Sequence, residues 1–315
     1  MTLLRYILFS IELLILTISL PLLISFMYIM SKTETMNERL KILLVTFGYS
    51  GILNVLTRYI SIAWYLANST WFPENGIIYH IVFKMHNLCV VMLIINPVVI
   101  AIERTFASIF LKSYEEFKSI LCNFFLRVVS WILSLLFMGG FYMAQSEIAT
   151  IFYFVITILI NTATLIIFST LFFINKRKFS NVGNVIKNSL SYKYQITENI
   201  RTLKMLSIFI AEVLIIQVIL QSMLSVIYFY LIPNKMFYEY QIFSNVFDII
   251  NAFFLTTFFL PILLAHKETK KLFFNILKIR KTKINAVTPK NILGNDLIIY
   301  NTNHDNIKML QEIWR

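Results

Sequence analysis

The chain has 315 residues, of which 58% are hydrophobic and only 14% charged, and its mean hydropathy is +0.74. A soluble domain carries about a quarter charged residues, so this chain lacks the polar surface that a water-facing fold of its length would need. Its net charge of +12 falls between and after hydrophobic runs rather than on a polar domain, which argues against nucleic acid as the partner and for the lipid bilayer.

A helix that crosses hydrocarbon needs about twenty apolar residues. Seven such runs occur, at roughly 6–30, 42–66, 78–102, 124–145, 148–174, 205–232 and 241–265. They predict an all-α membrane protein, a seven-transmembrane helix bundle over 1–265 followed by a tail over 266–315. The first run is too long for the core of a secretory signal, and no small-residue cleavage site follows Met30, so it reads as an uncleaved span. The fourth and fifth runs are divided only by Gln145-Ser146-Glu147. Without that break the count falls to six and the C-terminus changes sides.

After Pro261 the chain runs from His266 to Arg280 with Leu272, Phe273, Ile276 and Leu277 on one helical face and Lys271, Asn275 and Lys278 on the other. This predicts a basic amphipathic helix over 266–283 lying along the inner leaflet. Beyond Ile284 no periodicity remains.

Orientation follows from the Lys and Arg residues. With the N-terminus outside, the cytoplasmic segments hold 23 of the 28, and outer segments hold two, Arg5 and Lys235. Setting the tail aside leaves thirteen against two, which puts the N-terminus outside and the C-terminus in the cytoplasm. The sequon Asn68-Ser69-Thr70, between spans two and three, then lies outside, and Asn68 becomes a glycosylation candidate.

Enzymatic signatures are absent: no phosphate-cradling glycine loop, no H-E-x-x-H, no C-x-x-C. Cys89 and Cys122 make no disulfide framework, and the four histidines lack metal-ligand spacing apart from a weak His80/His86 pair. No cofactor or metal is expected. Receptor, transporter and channel remain as classes.

Charges within spans are expensive, so each is a candidate for function. Those singled out are Arg58, Lys84, Arg127, Glu212 and Asp248. Arg58 and Asp248 lie at similar depth on spans two and seven, so an ion pair between them is possible, with Lys84 a rival partner for Asp248. His80, Lys84 and Asn87 share one face of span three, and Gln217 and Gln221 share one of span six. With those faces inward they converge on a ligand cavity, and Arg58 and Lys84 opposite Asp248 would suit a polar or acidic ligand. Snorkelling cations and amides acting as interhelical glue are the structural alternatives. Glu212 reads as a structural or switching group.

At the inner end of span three, Glu103-Arg104 offers a pair that is held in one state and released in another. The stretch from Glu103-Arg104 through Ala107 to Tyr114-Glu115 resembles the E-R-x-x-A…Y-E signature of nematode serpentine chemoreceptors of the Sre class, as does Tyr194 to Lys204 entering span six. His86-Asn87 and Leu260-Pro261 are compatible with that family.

The resemblance implies a G-protein-coupled receptor of the plasma membrane, displayed on the sensory cilium of chemosensory neurons. It would bind a small-molecule odorant or pheromone and signal through a heterotrimeric G protein, with Glu103, Arg104, Tyr114 and Glu115 at the coupling switch. Two rhodopsin-like features are missing: an outer-loop cysteine to pair with span three, and N-P-x-x-Y at the end of span seven. An inverted seven-span ligand-gated channel of the insect chemoreceptor type and a small-solute transporter are the alternatives. A C-terminal tag reachable on intact cells would favour the channel, and internal repeats would favour the transporter, though none is found between the halves.

Overall fold

The computed structural model describes residues 3–33, 36–68, 76–110, 120–143, 147–182, 190–265 and 267–276, and among them every regular element is helical. The helices are α1 (Leu3–Lys32), α2 (Glu38–Asn68), α3 (Ile77–Ile109), α4 (Ile120–Met143), α5 (Glu147–Val182), α6 (Leu190–Val226), α7 (Phe237–Thr257), α8 (Leu260–Ala265) and α9 (Lys267–Ile276). A π-helical turn, Ile227–Leu231, extends α6. Residues Met1–Leu277 form one compact unit, and Lys278–Arg315, the other unit, lie outside the described residues.

Six of the helical segments are long and apolar enough to cross a membrane, and α4 adds a shorter apolar stretch, Phe124–Gly140. α4 and α5 are separate helices, with the narrow break at 144–146 outside the described residues. Leu14, Ile166, Phe173 and Ile215 point outward while Asn, Ser and Thr side chains sit inside, as expected for a bundle solvated by lipid.

Helix α1 packs against α2 and α7, and α6 against α5 and α7, while α3 touches α2, α4, α5 and α6 and so runs through the centre. The half of the bundle near α8 is cemented by aromatic rings. Phe47 of α2 stands edge-on to Phe209 of α6 at 5.3 Å and to Phe258, between α7 and α8, at 4.7 Å. Two glycines let α1 and α2 approach: a Cβ on Gly48 would collide with Met27, and one on Gly51 would come within 3.3 Å of Leu23.

Polar ties run between helices where apolar contact alone would leave register loose. Asn96 of α3 donates to the Leu43 carbonyl of α2 at 3.0 Å, and Ser130 of α4 donates to Asn96 at 3.2 Å. At the far end of the bundle, Thr269 donates to the Leu263 carbonyl (2.8 Å) as the chain turns from α8 into α9. Of the stretch 266–283 expected to form an amphipathic tail helix, Lys267–Ile276 is helical as α9, and 266 and 277–283 lie outside the described residues. Its Phe273 is buried and Leu272 packs on the bundle core, whereas Lys270, Lys271 and Asn275 are exposed. Part of the expected lipid-facing stripe is thus docked against the bundle beside α1.

Candidate functional site

A cavity of about 550 Å³ opens at the end of the bundle where α1, α3, α5 and α7 begin. This lies within the range of about 300–1,000 Å³ typical of small-molecule sites. Its aromatic wall includes Tyr79, Phe83, Phe137, Tyr142, Tyr153, Tyr228 and Tyr240, with Val90, Ile216 and Leu220 between them. The π-helical turn carries Ile227 and Tyr228 onto this wall; the extra residue per turn shifts the register of all that follows.

Into this apolar chamber project amides and charges. Gln217, Gln221, Asn245 and Asn251 line it, as do Asn87, His86, Arg58, Asp248 and Arg5. Gln217 accepts a hydrogen bond from Asn161 of α5 at 2.7 Å, yet its own Nε2 has no partner among the described residues. The same holds for Gln221 Oε1, Asn245 Nδ2, His86 Nδ1 and Arg5 Nε, all buried atoms of cavity-lining residues. Native interiors satisfy most buried polar atoms. Five such orphans on residues of one chamber wall mark a place where a ligand or water, after a side-chain turn, completes the bonding.

Beside the cavity lies an ion cluster. The Arg58 guanidinium of α2 grips Glu12 of α1 with two contacts, Nε to Oε1 and Nη2 to Oε2 (3.0 Å), and reaches Asp248 of α7 at 2.6 Å. Glu12 is fully buried, and the side chains of Arg58 and Asp248 are each only 11% exposed. The Arg58–Asp248 pair that depth matching allows is therefore present. Glu12 went unmarked in the sequence because one carboxylate in a run of leucines and isoleucines barely alters hydropathy. Its position among the apolar residues was nonetheless the available signal.

Helix α3 enters rotated from the expected face. Tyr79, Phe83, His86, Asn87 and Val90 look inward, while His80 and Lys84 are exposed and absent from the cavity wall. One residue along a helix is a rotation of about 100°, so a face starting at residue 79 rather than 80 excludes both while keeping Asn87. Asn87 donates to the Tyr142 hydroxyl at 2.6 Å. The expected convergence of His80 and Lys84 on the cavity is thus corrected, and Lys84 is not the partner of Asp248. Glu212 is half-buried beside Thr257 of α7, away from the cavity wall.

At the opposite end of the bundle Glu103 and Arg104 are both buried, and Arg104 donates from Nε and Nη2 to the two Glu103 oxygens at 2.5 Å. Asn175 and Lys178 of α5 reach Ser108, at its hydroxyl and its carbonyl respectively, each at 3.0 Å. Asn199 of α6 donates to the Ala107 carbonyl at 3.4 Å. Two distant sequence stretches, 103–108 and 194–204, therefore meet at one helix end. Tyr114 and Glu115 lie outside the described residues. Asn68 is exposed at the end of α2 and bonds back to the Trp64 carbonyl at 3.1 Å, while Ser69 and Thr70 are outside the described residues.

Among known families, the one described as Sre G protein-coupled chemoreceptor matches residues 68–309, from the last residue of α2 onward. Arg5, Glu12 and Arg58 precede the matched region. A comparison with curated proteins gave no match.

Proposed function

The chain belongs to the Sre G protein-coupled chemoreceptor family, and from that premise we propose that its cavity is the sensory site, coupled through the bundle to a heterotrimeric G protein at the other end. The protein is a multi-pass membrane receptor. In this reading it crosses the bilayer seven times, α4 being the shortest span, with the N-terminus outside and the tail in the cytoplasm. The distribution of Lys and Arg supports that sidedness. The cavity then opens outward, where a small molecule reaches it from solution, and α9 lies at the inner leaflet.

The observation that carries the proposal is the set of buried, unpartnered polar atoms on one apolar chamber, at the opposite end of α3 from Glu103-Arg104. A ligand that satisfies Gln217, Gln221 and Asn245 draws α6 and α7 together. It shifts the population toward an arrangement in which the inner ends of α5 and α6 leave α3 and expose Arg104. A ligand can do so only by binding the two arrangements with different affinity.

The test is a ligand screen in cells that express the receptor with a promiscuous G protein. Leu220→Trp, which fills the chamber, is expected to abolish every response at unchanged surface expression. Arg104→Gln is expected to abolish signalling while leaving ligand binding intact. A full response from the Leu220→Trp receptor would refute the cavity as the sensory site.

A further inference from the structure

The cavity also specifies the charge of what it takes. Among its lining residues, Arg58 is matched by Glu12 and Asp248. Among the described residues Arg5 is not matched by any carboxylate: its Nη1 donates to the neutral Gln241 amide at 2.8 Å, and its Nε has no partner there. The residue is only 8% exposed. Its guanidinium lies 4.5 Å from the centre of the Tyr65 ring, so the aromatic face fixes its plane without neutralising it. A buried cation without a counter-ion is costly in a low-dielectric chamber. A guanidinium with open donors presents the fork geometry that binds a carboxylate through two bonds.

We propose that the receptor's ligand is an organic acid whose carboxylate docks on Arg5 at the cavity mouth and whose apolar body extends inward toward the amides of α6 and α7. This rests on the cavity being the sensory site. Gln241 and Asp248 are seven residues apart on α7, about 10 Å at 1.5 Å per residue. The acid end is therefore held away from the Glu12–Arg58–Asp248 cluster, whose two carboxylates share one guanidinium and would repel a second anion. The polarity along α7 fixes the direction in which the ligand enters, acid end outermost.

The experiment uses the full-length receptor in phosphatidylcholine nanodiscs and follows its unfolding midpoint against decanoate, decanol and decylamine, three probes that differ only in the head group. Decanoate is expected to stabilise at concentrations about tenfold below the other two, the advantage of a charge-assisted pair. Arg5→Lys keeps the preference. Arg5→Gln removes it, and so does Gln241→Glu, which retains Arg5 but supplies it with an internal carboxylate; the second variant guards against misfolding of the first. A preference for decylamine, no advantage of the acid over the alcohol, or an acid preference that survives Gln241→Glu overturns the proposal.

A lipid phosphate is the other source of an anion. If phosphatidylglycerol alone raises the midpoint in an Arg5-dependent way and abolishes the decanoate effect, the site serves a headgroup and the proposal fails. Decanol binding that is lost in Leu220→Trp would still support the cavity as the sensory site, so the two readings fail separately.

Discussion

At the scale of single residues, the Glu12–Arg58–Asp248 cluster carries large energetic consequences. Two carboxylates and one guanidinium are largely or wholly removed from solvent, and they tie α1, α2 and α7 at one level. Deleting one partner of a buried pair costs about 3–5 kcal/mol because it leaves the other charge uncompensated. Arg58→Gln strands two carboxylates and is expected to collapse surface expression. Glu12→Gln or Asp248→Asn leaves the guanidinium with one partner and is expected to be milder. Adding both neutral substitutions to Arg58→Gln is expected to restore part of the expression, with a coupling of more than about 1 kcal/mol in thermal unfolding of the purified variants. Strict additivity would mean the three side chains do not act as a unit.

At the scale of helices, the ends of α5 and α6 beside Glu103-Arg104 are latched onto α3 by a few hydrogen bonds, with no ion pair between those helices among the described residues. Asn175 holds the Ser108 hydroxyl, and Asn199 holds the Ala107 carbonyl. Each such bond contributes about 1 kcal/mol net, or roughly fivefold in the ratio of closed to open arrangements. Asn175→Ala is therefore expected to raise ligand-independent signalling about three- to fivefold at equal surface expression. Basal output equal to the unmodified receptor would exclude the latch. Hydropathy could not place these residues, because the fifth apolar run stops near residue 174 while α5 continues to Val182. Helical hydrogen bonding outlasts the hydrocarbon boundary, so Asn175 and Lys178, which look like loop in the sequence, are carried on a helix against α3.

For the whole molecule, sidedness is the property on which everything else depends, and it is open to direct measurement. Epitope tags at the two termini are expected to stain intact cells only at the N-terminus and to require permeabilisation at the C-terminus. Asn68→Gln is expected to remove a glycosidase-sensitive mobility shift from the otherwise identical receptor. A C-terminal tag that stains unpermeabilised cells would invert the bundle, place the cavity inside the cell and remove the basis for an externally presented ligand.

The helical membrane class was legible in the sequence, and so were the apolar stretches on which its long helices lie. Apolar length and period are local quantities, set by the thickness of hydrocarbon and by the helical repeat. The family was legible too, through the short stretches at 103–115 and 194–204. The azimuth of each helix about its axis was not. Whether residue 79 or 80 of α3 faces the centre is decided by packing against α2, α4, α5 and α6 together, and that rotation moved His80 and Lys84 out of the site and His86 into it. The same tertiary packing recruited Arg5 and Glu12, two charges in the first half of α1, because α1 packs against α7.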